Sequence, residues 1–426
     1  MHHDKKYLPR VIDEKLEFYL STFGAVCLEG PKWCGKTWTA SHHSASSISL
    51  GDPSGGFMNK QLAESEPALV LAGKQPRLID EWQEVPPLWD AVRYAVDANG
   101  SKGQYILTGS ATPQRKGILH SGTGRIARLR MRPMSLYESG DSSGQVSLKA
   151  LCEGSISPVM TGEVSLKQVI EWIVRGGWPG SLGLSMRQAA EVPREYLRNA
   201  LENDIYRMDS VKRDNAKMRR LLQSLARHES TTASNSKLVQ DIKEETDDTL
   251  DRETVAEYLG VFERLFLIEN QPAYASNLRS GVRLKQSPKR HLADPSLACA
   301  LLQATPEMLL GDLNTLGFLF EALCERDLSI YAESFGARLF HYQDYSNREV
   351  DAVIELPDGR WCAFEIKLGA QQIDKAAASL VALRDSLAVQ PDAKAPSVLG
   401  VICGLTHAAY QRPDGVFVFP ISALKP

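Results

Sequence analysis

The first third of the chain contains short apolar runs separated by polar segments rich in turn residues. Residues 25–28 form one such run, and residues 76–80 and 104–107 form two more. Runs of this length, bounded by glycine, proline or polar residues, are typical of buried strands. Because helical segments separate them, the pattern predicts an α/β fold in which these strands share one sheet.

The last third of the chain repeats this pattern around a single helix. Strands are predicted at residues 338–342, 349–355 and 361–367, followed by a helix at residues 374–387 and a strand at residues 398–403. Strand-length runs closed by a helix and a further strand indicate a second α/β unit.

The middle of the chain has a helical pattern. Helices are predicted at residues 169–174 and 186–206. Residues 216–275 have the spacing of a winged helix-turn-helix, with three helices and a wing made by residues 267–269 and 273–274. Modules of this type commonly bind DNA.

The charges of this middle module do not decide whether it binds DNA or packs against protein. Its third predicted helix is acidic, and phosphates would repel it, so packing against protein is an equal alternative to DNA contact. The charged residues of that helix are Asp251, Arg252, Glu253, Glu257, Glu263 and Arg264. A more favourable basic surface follows, consisting of Arg279, Arg283, Lys285, Lys289 and Arg290.

A phosphate-binding loop follows the first predicted strand. Eight residues match the pattern Gly-x-x-x-x-Gly-Lys-Thr, in which glycines allow backbone N–H groups to turn towards a phosphate at a helix N-terminus. Lys36 is expected to reach the β and γ phosphates, and the Thr37 hydroxyl is expected to bind Mg²⁺. The predicted nucleotide-binding residues of the loop are Gly30, Pro31, Lys32, Trp33, Cys34, Gly35, Lys36 and Thr37.

Polar residues end the next two strands. Asp80 is assigned to the Mg²⁺ shell, and Glu81 is assigned to polarising the attacking water. The following strand ends in residues 108–110 and places the Ser110 hydroxyl at the same sheet edge, where it can sense the γ phosphate. The sequence therefore predicts ATP and Mg²⁺ as cofactors.

An arginine-rich strand is predicted at residues 122–133. One interpretation makes Arg125 or Arg128 an arginine finger that reaches the nucleotide of a neighbouring subunit. The other makes the arginines one solvated face of an edge strand. The sequence leaves both open, and with them the question of a homo-oligomer.

These motifs give the first third of the chain a resemblance to the AAA-type ATPases, because the phosphate loop, residues 78–81, residues 107–110 and residues 124–125 stand in the AAA order. More narrowly, the whole chain resembles a family of prokaryotic AAA-type ATPases with a poorly characterised C-terminal domain. The resemblance implies ATP hydrolysis. It extends through residues 7–10, 175–179, 288–295 and 365–367.

The C-terminal third holds a second group of reactive side chains. Asp351 lies on one predicted strand, and Glu365 and Lys367 lie on one face of the next. The two carboxylates are expected to share a divalent metal, while the lysine supports a nucleophilic water. This arrangement resembles the core of PD-(D/E)xK nucleases. Glu321 matches the helical acid that often completes such a site.

Two functions from different classes remain open. The first is an ATP-regulated DNA-processing nuclease, and the second is a regulatory switch whose C-terminal domain binds a protein partner or DNA without cleavage. Carboxylates followed by Glu-x-Lys also occur by chance. A basic surface around Asp351, Glu365 and Lys367 favours the nuclease, whereas an acidic or plugged pocket favours the switch.

Composition bounds the remaining possibilities. A chain of 426 residues suggests about three domains or more. The hydrophobic content of 43% and charged content of 24% are typical of a folded soluble protein. The predicted parts are an AAA-type ATPase domain (1–140), a helical linker or lid (141–208), a winged-helix-like domain (209–284) and a PD-(D/E)xK nuclease-like domain (285–426).

The net charge and the hydropathy of the chain bear on its partners and its cellular location. The net charge of −3 argues against a uniformly basic nucleic-acid protein. No apolar run approaches the roughly 20 residues that span a bilayer, and the N-terminus lacks a hydrophobic signal core. A cytoplasmic protein without membrane contact is therefore expected.

Overall fold

The computed structural model describes residues 7–111, 118–245, 250–275, 287–344, 348–389 and 394–426. The strands are β1 (Ala25–Glu29), β2 (Ser46–Ser49), β3 (Arg77–Asp80), β4 (Tyr105–Gly109), β5 (Ile126–Arg130), β6 (Val146–Ser147), β7 (Val159–Met160), β8 (Ile268–Gln271), β9 (Lys289–Leu292), β10 (Arg338–Gln343), β11 (Glu349–Glu355), β12 (Trp361–Lys367), β13 (Val398–Cys403), β14 (Ala408–Gln411), β15 (Phe417–Phe419) and β16 (Leu424–Lys425). Part of the predicted basic surface, Arg279, Arg283 and Lys285, lies outside the described residues.

The helices fill the segments between these strands. They are α1 (Asp13–Thr22), α2 (Lys36–His42), α3 (Ser54–Ser65), α4 (Pro67–Leu71), α5 (Leu88–Asn99), α6 (Leu148–Cys152), α7 (Leu166–Arg175), α8 (Met186–Asn199), α9 (Ile205–Asp209), α10 (Asn215–Arg227), α11 (Asn235–Glu245), α12 (Arg252–Arg264), α13 (Pro295–Leu302), α14 (Pro306–Gly311), α15 (Leu313–Ser334) and α16 (Ile373–Ala388). Across the described ranges, none of the helices has both the length and the apolar character needed to cross a membrane.

Five parallel strands form the N-terminal sheet in the order β2-β3-β4-β1-β5. The prediction that the first apolar runs share one α/β sheet is confirmed. β1 and β4 are buried along their whole length, which explains their unbroken apolar sequences. Trp89 and Val92 of α5 pack on one face of the sheet, and Leu16 of α1 packs on the other. Because the strands are parallel, their carboxyl ends meet at one edge.

Seven strands form the C-terminal sheet in the order β10-β11-β12-β13-β15-β14-β7. The helix α15 precedes β10, and the antiparallel strands β10, β11 and β12 follow one another. α16 then connects β12 to the parallel strand β13. The three strands, the helix and the final strand predicted for this part of the sequence are confirmed.

The middle of the chain contains the three helices α10, α11 and α12, close to the predicted positions. The predicted wing is wrong in its second strand. β8 pairs antiparallel with β9, whereas Ala273 forms a parallel bridge to His341 of β10. Local spacing pointed to a partner within a few residues of β8, but the partner is a distant segment that sequence analysis had placed in the nuclease-like domain.

The divisions predicted after residues 208 and 284 do not coincide with breaks in the packing. β7 lies in the predicted linker, yet it pairs with β14 as the edge strand of the C-terminal sheet. β6 pairs with β16 at the end of the chain. One hydrophobic core runs from Leu136 to Leu424 and includes side chains of α7, α10 and α15. The middle and C-terminal parts therefore pack as one large unit beside the N-terminal sheet.

Candidate nucleotide site and carboxylate cluster

The phosphate-binding loop connects β1 to α2 at the carboxyl edge of the N-terminal sheet. Gly35 has a φ of 105°, a left-handed conformation that favours glycine. The buried Lys36 ammonium donates hydrogen bonds to the carbonyl oxygens of Gly30 (2.9 Å) and Pro31 (2.7 Å). Its charge is held within the loop by neutral acceptors, which a charged phosphate can replace with stronger hydrogen bonds.

The other loop residues contact the middle of the chain. Lys32 pairs with Asp204 at 2.6 Å, and the ring of Trp33 lies edge-on to Tyr196 of α8. Trp33 is more than half exposed, whereas Cys34 is fully buried. The tip of the loop is therefore a contact between the N-terminal sheet and the helical region.

Asp80 accepts hydrogen bonds from hydroxyl groups on three neighbouring elements. Thr37 Oγ1 donates to Asp80 Oδ1 at 2.8 Å, and Thr108 Oγ1 donates to the same atom at 2.5 Å. Ser49 Oγ donates to Asp80 Oδ2 at 3.4 Å. These are oxygen ligands of the kind that Mg²⁺ prefers, so the side chains present fit the predicted ion. The sequence placed the Thr108 hydroxyl at this sheet edge, whereas Ser49 was not singled out.

Glu81 follows β3 with a left-handed backbone (φ 60°, ψ 43°), which costs a non-glycine residue about 1–2 kcal/mol. Its Oε2 accepts a hydrogen bond from Ser110 Oγ at 3.3 Å and another from the Gln83 amide. Glu81 and Ser110 line a cleft of about 900 Å³. The predicted acid and sensor are thus in contact. Sequence analysis missed Gln83, because a glutamine two residues after a carboxylate carries no signal of its own.

The two candidate finger arginines lie at different positions along the edge strand β5. Arg125 precedes the strand, at the sheet edge opposite the phosphate loop, and pairs with Asp97 at 2.7 Å. Arg128 pairs with Glu29 at 2.6 Å and lies over the Trp89 ring. Because Glu29 immediately precedes the loop, Arg128 is the candidate nearer to the nucleotide site. Both side chains are about half exposed, as the edge-strand interpretation requires.

A smaller cavity of about 200 Å³ adjoins the phosphate loop. Its lining includes Tyr7, Leu8, Trp38 and Pro179 together with Gly35 of the loop. The Tyr7 hydroxyl donates a hydrogen bond to Asp13 at 2.7 Å. Flat apolar walls beside a phosphate loop suit the base of a nucleotide.

The C-terminal unit brings together the predicted residues Glu321, Asp351, Glu365 and Lys367, which with Lys289 we call the carboxylate cluster. Lys367 Nζ lies 2.9 Å from Asp351 Oδ2 and 2.6 Å from Glu365 Oε2. The Ile366 N–H also donates to Asp351 Oδ2, at 2.7 Å. Asp351 and Glu365 are therefore joined through a lysine rather than open to solvent.

Lys289 of β9 completes this cluster. Its Nζ pairs with Glu321 Oε1 at 2.5 Å and donates a hydrogen bond to the Asp351 carbonyl oxygen at 3.3 Å. Sequence analysis placed Lys289 on a basic surface, but the side chain is buried among carboxylates. Across the residues that the structure describes, no three Asp, Glu, His or Cys side chains converge in a way that could hold a metal.

Burial and neighbouring charges separate the pKa values of the cluster. Burial, reinforced by the charge of Asp351, raises the pKa of Glu365 to about 8. Burial and the charge of Asp351 also raise the pKa of Glu321. Burial opposes ionisation of Asp351, yet Lys367 and Lys289 together lower its pKa below the usual value. At neutral pH Glu365 therefore keeps its proton, while Asp351 is ionised.

A further carboxyl group next to the cluster was missed. Glu325 lies one turn after Glu321 on the same face of α15, a helical spacing that sequence analysis could have used. Burial raises the pKa of Glu325 well above its ordinary value. Gln271 donates hydrogen bonds to Glu325 Oε2 (2.7 Å) and to the Asp351 carbonyl oxygen (3.3 Å). Glu325 Oε1 has no hydrogen-bond partner among the described residues, and Glu325 lines a cavity of about 290 Å³ together with Arg132 and Glu269.

Comparison with known families assigns the N-terminal part. A family model described as an AAA domain matches residues 22–140, the range that contains the five-stranded sheet and the phosphate loop. Residues 22–140 are therefore similar to an AAA domain. Two models described as domains of unknown function match residues 166–308 and 316–424. The winged-helix and nuclease-like assignments therefore stay predictions.

Individual relatives show how much of this chain is similar to other proteins. Uncharacterized proteins of Mycobacterium bovis and Mycobacterium tuberculosis are each 24% identical over 347 residues, which cover 80% of this chain and 70% of theirs. A Walker-type ATPase of Pyrococcus abyssi of known structure is 14% identical and has a TM-score of 0.42, covering 68% of this chain and 94% of its own. A likeness of that size adds nothing to the assignment, which rests on the AAA family model.

Ion pairs join the AAA domain to strand β8 and helix α15 of the C-terminal unit. Arg132, just after β5, pairs with Glu269 of β8 and with Glu333 of α15 at 2.8 Å. Arg130 lies 3.5 Å from the partly exposed Glu269, and the two arginines lower the pKa of Glu269 to about 2. Two residues further along β8, Gln271 pairs across the hairpin with Lys289. The β8–β9 hairpin thus contacts the AAA domain at one point and the cluster at another.

Proposed function

We propose that this chain is a Mg²⁺-dependent ATPase whose nucleotide state controls a nucleic-acid site at the carboxylate cluster. The observation that carries the first half is the meeting of Lys36, Thr37 and Asp80 at one sheet edge inside an AAA domain. The second half is supported by the hairpin that contacts both the AAA domain and the cluster.

At the nucleotide site, Lys36 binds the β and γ phosphates, and Thr37 and Asp80 hold Mg²⁺. Mg²⁺, when bound, supplies positive charge that stabilises the transferring phosphoryl group. Glu81 accepts the proton of the attacking water, and Ser110 contacts the γ phosphate. The apolar cavity beside Gly35 takes the adenine base.

Coupling to the C-terminal unit follows from the ion pairs of Arg132. Strand β5 lies beside β1 in the AAA sheet, and Arg10 bonds both to the Arg132 carbonyl (3.0 Å) and to the Cys34 carbonyl in the phosphate loop (2.7 Å). A shift of the loop on nucleotide binding changes the position of Arg132 and hence of its partner Glu269. Buried ion pairs respond steeply to such shifts because the surrounding dielectric is low.

At the cluster, the order of elements supports a nuclease-like site. Glu321, Asp351 and Glu365 lie on a helix and on two of the strands in the succession helix, three antiparallel strands, helix and parallel strand, and Lys289 and Lys367 connect their side chains. Nucleic-acid phosphate and a divalent metal are the expected ligands of three such acids with an adjacent lysine.

A second function, a switch that binds a protein partner or DNA without cleavage, is favoured by one specific observation. The acids of the cluster are neutralised by Lys289 and Lys367, and Lys289 plugs the space between Glu321 and Asp351. A nuclease must free that space before it can act. Cleavage therefore requires Lys289 to leave the space between Glu321 and Asp351, whereas binding without cleavage does not.

A cleavage assay separates the two functions. Purified full-length protein is incubated with supercoiled, linear and branched DNA and with RNA, with Mg²⁺ or Mn²⁺, in the presence and absence of ATP. A nuclease cuts in a metal-dependent way, and Asp351→Ala abolishes cutting while ATP hydrolysis continues. Glu349→Ala, an exposed acid on the same strand, is the matched control and keeps cutting. Absence of cutting under every condition rejects the nuclease and leaves the switch.

A further inference from the structure

We infer that Lys32 is a second phosphate-binding lysine, which binds the γ phosphate of ATP and pairs with Asp204 when that phosphate is absent. Asp204 and the γ phosphate compete for one ammonium group, so the site distinguishes ATP from ADP. This role of Lys32 rests on the proposed ATPase function and adds to it the group that selects the nucleotide state.

Lys32 lies on the side of the phosphate loop that faces the wide cleft. Its side chain lines the cleft of about 900 Å³ that Glu81 and Ser110 also line. The buried Lys36, by contrast, donates to carbonyl oxygens within the loop. The loop therefore carries two lysines, and Lys32 is the one that shares a cleft with the proposed base and the proposed γ-phosphate sensor.

Asp204 is the partner of Lys32 in the structure. Lys32 Nζ lies 2.6 Å from Asp204 Oδ1, and 41% of the Lys32 side chain is exposed. An ion pair this open to water contributes little stability. Hydrogen bonds from an ammonium group to a phosphate are, in contrast, among the stronger ones in proteins. A γ phosphate within reach can therefore take Lys32 from Asp204.

An irregular helix positions Asp204. Residues Ala200–Asp204 form a π-helical turn between α8 and α9, and Ala200 and Leu201 of this turn are buried. Such turns are rare and occur frequently at functional sites. The carboxylate at the end of the turn is the one that contacts the phosphate loop, so the unusual backbone coincides with this contact.

Charge gives the direction of the effect. With ADP in the loop, the pair of Lys32 and Asp204 stays intact. With ATP, Asp204 loses its counter-ion and lies near a phosphate of the same sign, so residues 200–209 are repelled from the loop. Leu201 and Ile205 of this segment belong to the hydrophobic core of the middle and C-terminal parts. The competition for Lys32 therefore carries the nucleotide state towards the C-terminal unit.

The test measures binding of ADP and of the β,γ-imido analogue of ATP, which is not hydrolysed, to the full-length protein with Mg²⁺ by calorimetry. Lys32→Gln should bind the analogue about tenfold more weakly and ADP within about twofold of the wild type, because ADP lacks the γ phosphate. Asp204→Asn should bind the analogue about threefold more tightly, because a competing charge has gone. Lys60→Gln, a lysine of the same cleft that pairs with Glu84, is the matched control and should bind both nucleotides as the wild type does.

The opposite signs of the two changes separate this role from that of a structural ion pair. If the pair only joins the loop to the helical region, Lys32→Gln and Asp204→Asn lose the same contact and alter the affinities for both nucleotides alike. That result rejects the role of Lys32 and leaves the ATPase in place. If the wild type binds neither nucleotide, the proposed ATPase function itself is rejected.

Hydrogen exchange of the wild-type protein provides a second measurement that needs no variant. The amides of residues 200–209 should exchange faster with the imido analogue bound than with ADP bound, because the contact with the loop is lost. The amides of α5, which packs on the AAA sheet, are the control and should exchange equally in both complexes. Equal exchange of residues 200–209 in the two complexes rejects the competition between Asp204 and the γ phosphate.

Discussion

The nucleotide site and the carboxylate cluster differ in the kind of group that contacts their carboxylates. Asp80 accepts hydrogen bonds from hydroxyl groups, whereas Asp351 and Glu365 are paired with the ammonium group of Lys367. A hydroxyl oxygen can stay in place and coordinate a metal, but an ammonium group must leave first. At the nucleotide site the hydroxyl oxygens can themselves bind a metal, whereas the acids of the cluster already have the ammonium groups of Lys289 and Lys367 as counter-ions.

The nucleotide site and the carboxylate cluster also differ in solvent exposure. Glu81 borders a wide cleft and keeps a strained backbone, as residues at functional sites often do. The side chains of Glu321 and Glu365 are almost entirely buried. Glu81 is thus accessible from solvent, whereas Glu321 and Glu365 are not. Variants of each site test this difference.

The largest expected effect is that of Glu81→Gln. This change removes the general base while keeping the size of the side chain, so steady-state hydrolysis should fall about a thousandfold with ATP affinity nearly unchanged. A phosphate-release assay and a fluorescent-nucleotide titration measure the two quantities. Glu84→Gln, on the same turn but paired with Lys60, is the control and should hydrolyse ATP normally. Normal turnover in Glu81→Gln would rule out the base assignment.

Lys36→Ala should have the next largest effect. Each charged hydrogen bond to a phosphate contributes about 1.5–3 kcal/mol, so ATP affinity should fall about a hundredfold. Lys102→Ala is the matched control, because Lys102 is an exposed lysine that precedes β4, at the sheet edge opposite the phosphate loop. Nucleotide titration of both variants compares the two lysines. Equal losses would show that general positive charge, and not the position of Lys36, binds the phosphates.

Mixing variants tests whether the open nucleotide site is completed by a second copy. We propose that Arg128 acts on the nucleotide of a neighbouring subunit, since it lies nearer the loop than Arg125 does. Inactive Arg128→Ala mixed one to one with inactive Glu81→Gln should recover up to about a quarter of wild-type hydrolysis, because random assembly of a ring combines an intact finger with an intact base at that frequency. Arg125→Ala should stay active alone. No recovery, with specific activity independent of concentration, indicates a monomeric ATPase.

The two sites also differ in how far the sequence predicts them. The nucleotide site depends on a contiguous loop and on strand ends that a parallel sheet places at one edge, so Lys36, Asp80, Glu81 and Ser110 could be assigned from local pattern. Thr108 could be placed on the same edge, but its contact with Asp80 depends on side-chain conformation.

The carboxylate cluster required information that local pattern lacks. Asp351, Glu365 and Lys367 lie on neighbouring strands and were predicted together, and Glu321 was added from a resemblance. Lys289 comes from a hairpin whose second strand was misplaced, because the pairing partner of β8 lies outside the range that turn spacing reaches. The burial that turns a surface lysine into a counter-ion is a property of tertiary packing and cannot be read from charge alone.

The smallest expected effect tests the raised pKa of Glu365 in the cluster through pH. The pKa of Glu365 is raised from 4.5 to about 8, so between these values the folded state binds a proton that the unfolded chain releases. The contribution of this group to the free energy of unfolding therefore falls as pH rises through that window. Gln imitates the protonated side chain and avoids the loss. Glu365→Gln should match the wild type near pH 5 and melt about 2 °C or more above it near pH 8.5. Glu349→Gln, an exposed acid on the adjacent strand, should follow the wild type at both values. If the difference in melting temperature between wild type and Glu365→Gln stays constant across this range, Glu365 is ionised when folded and the raised pKa is rejected.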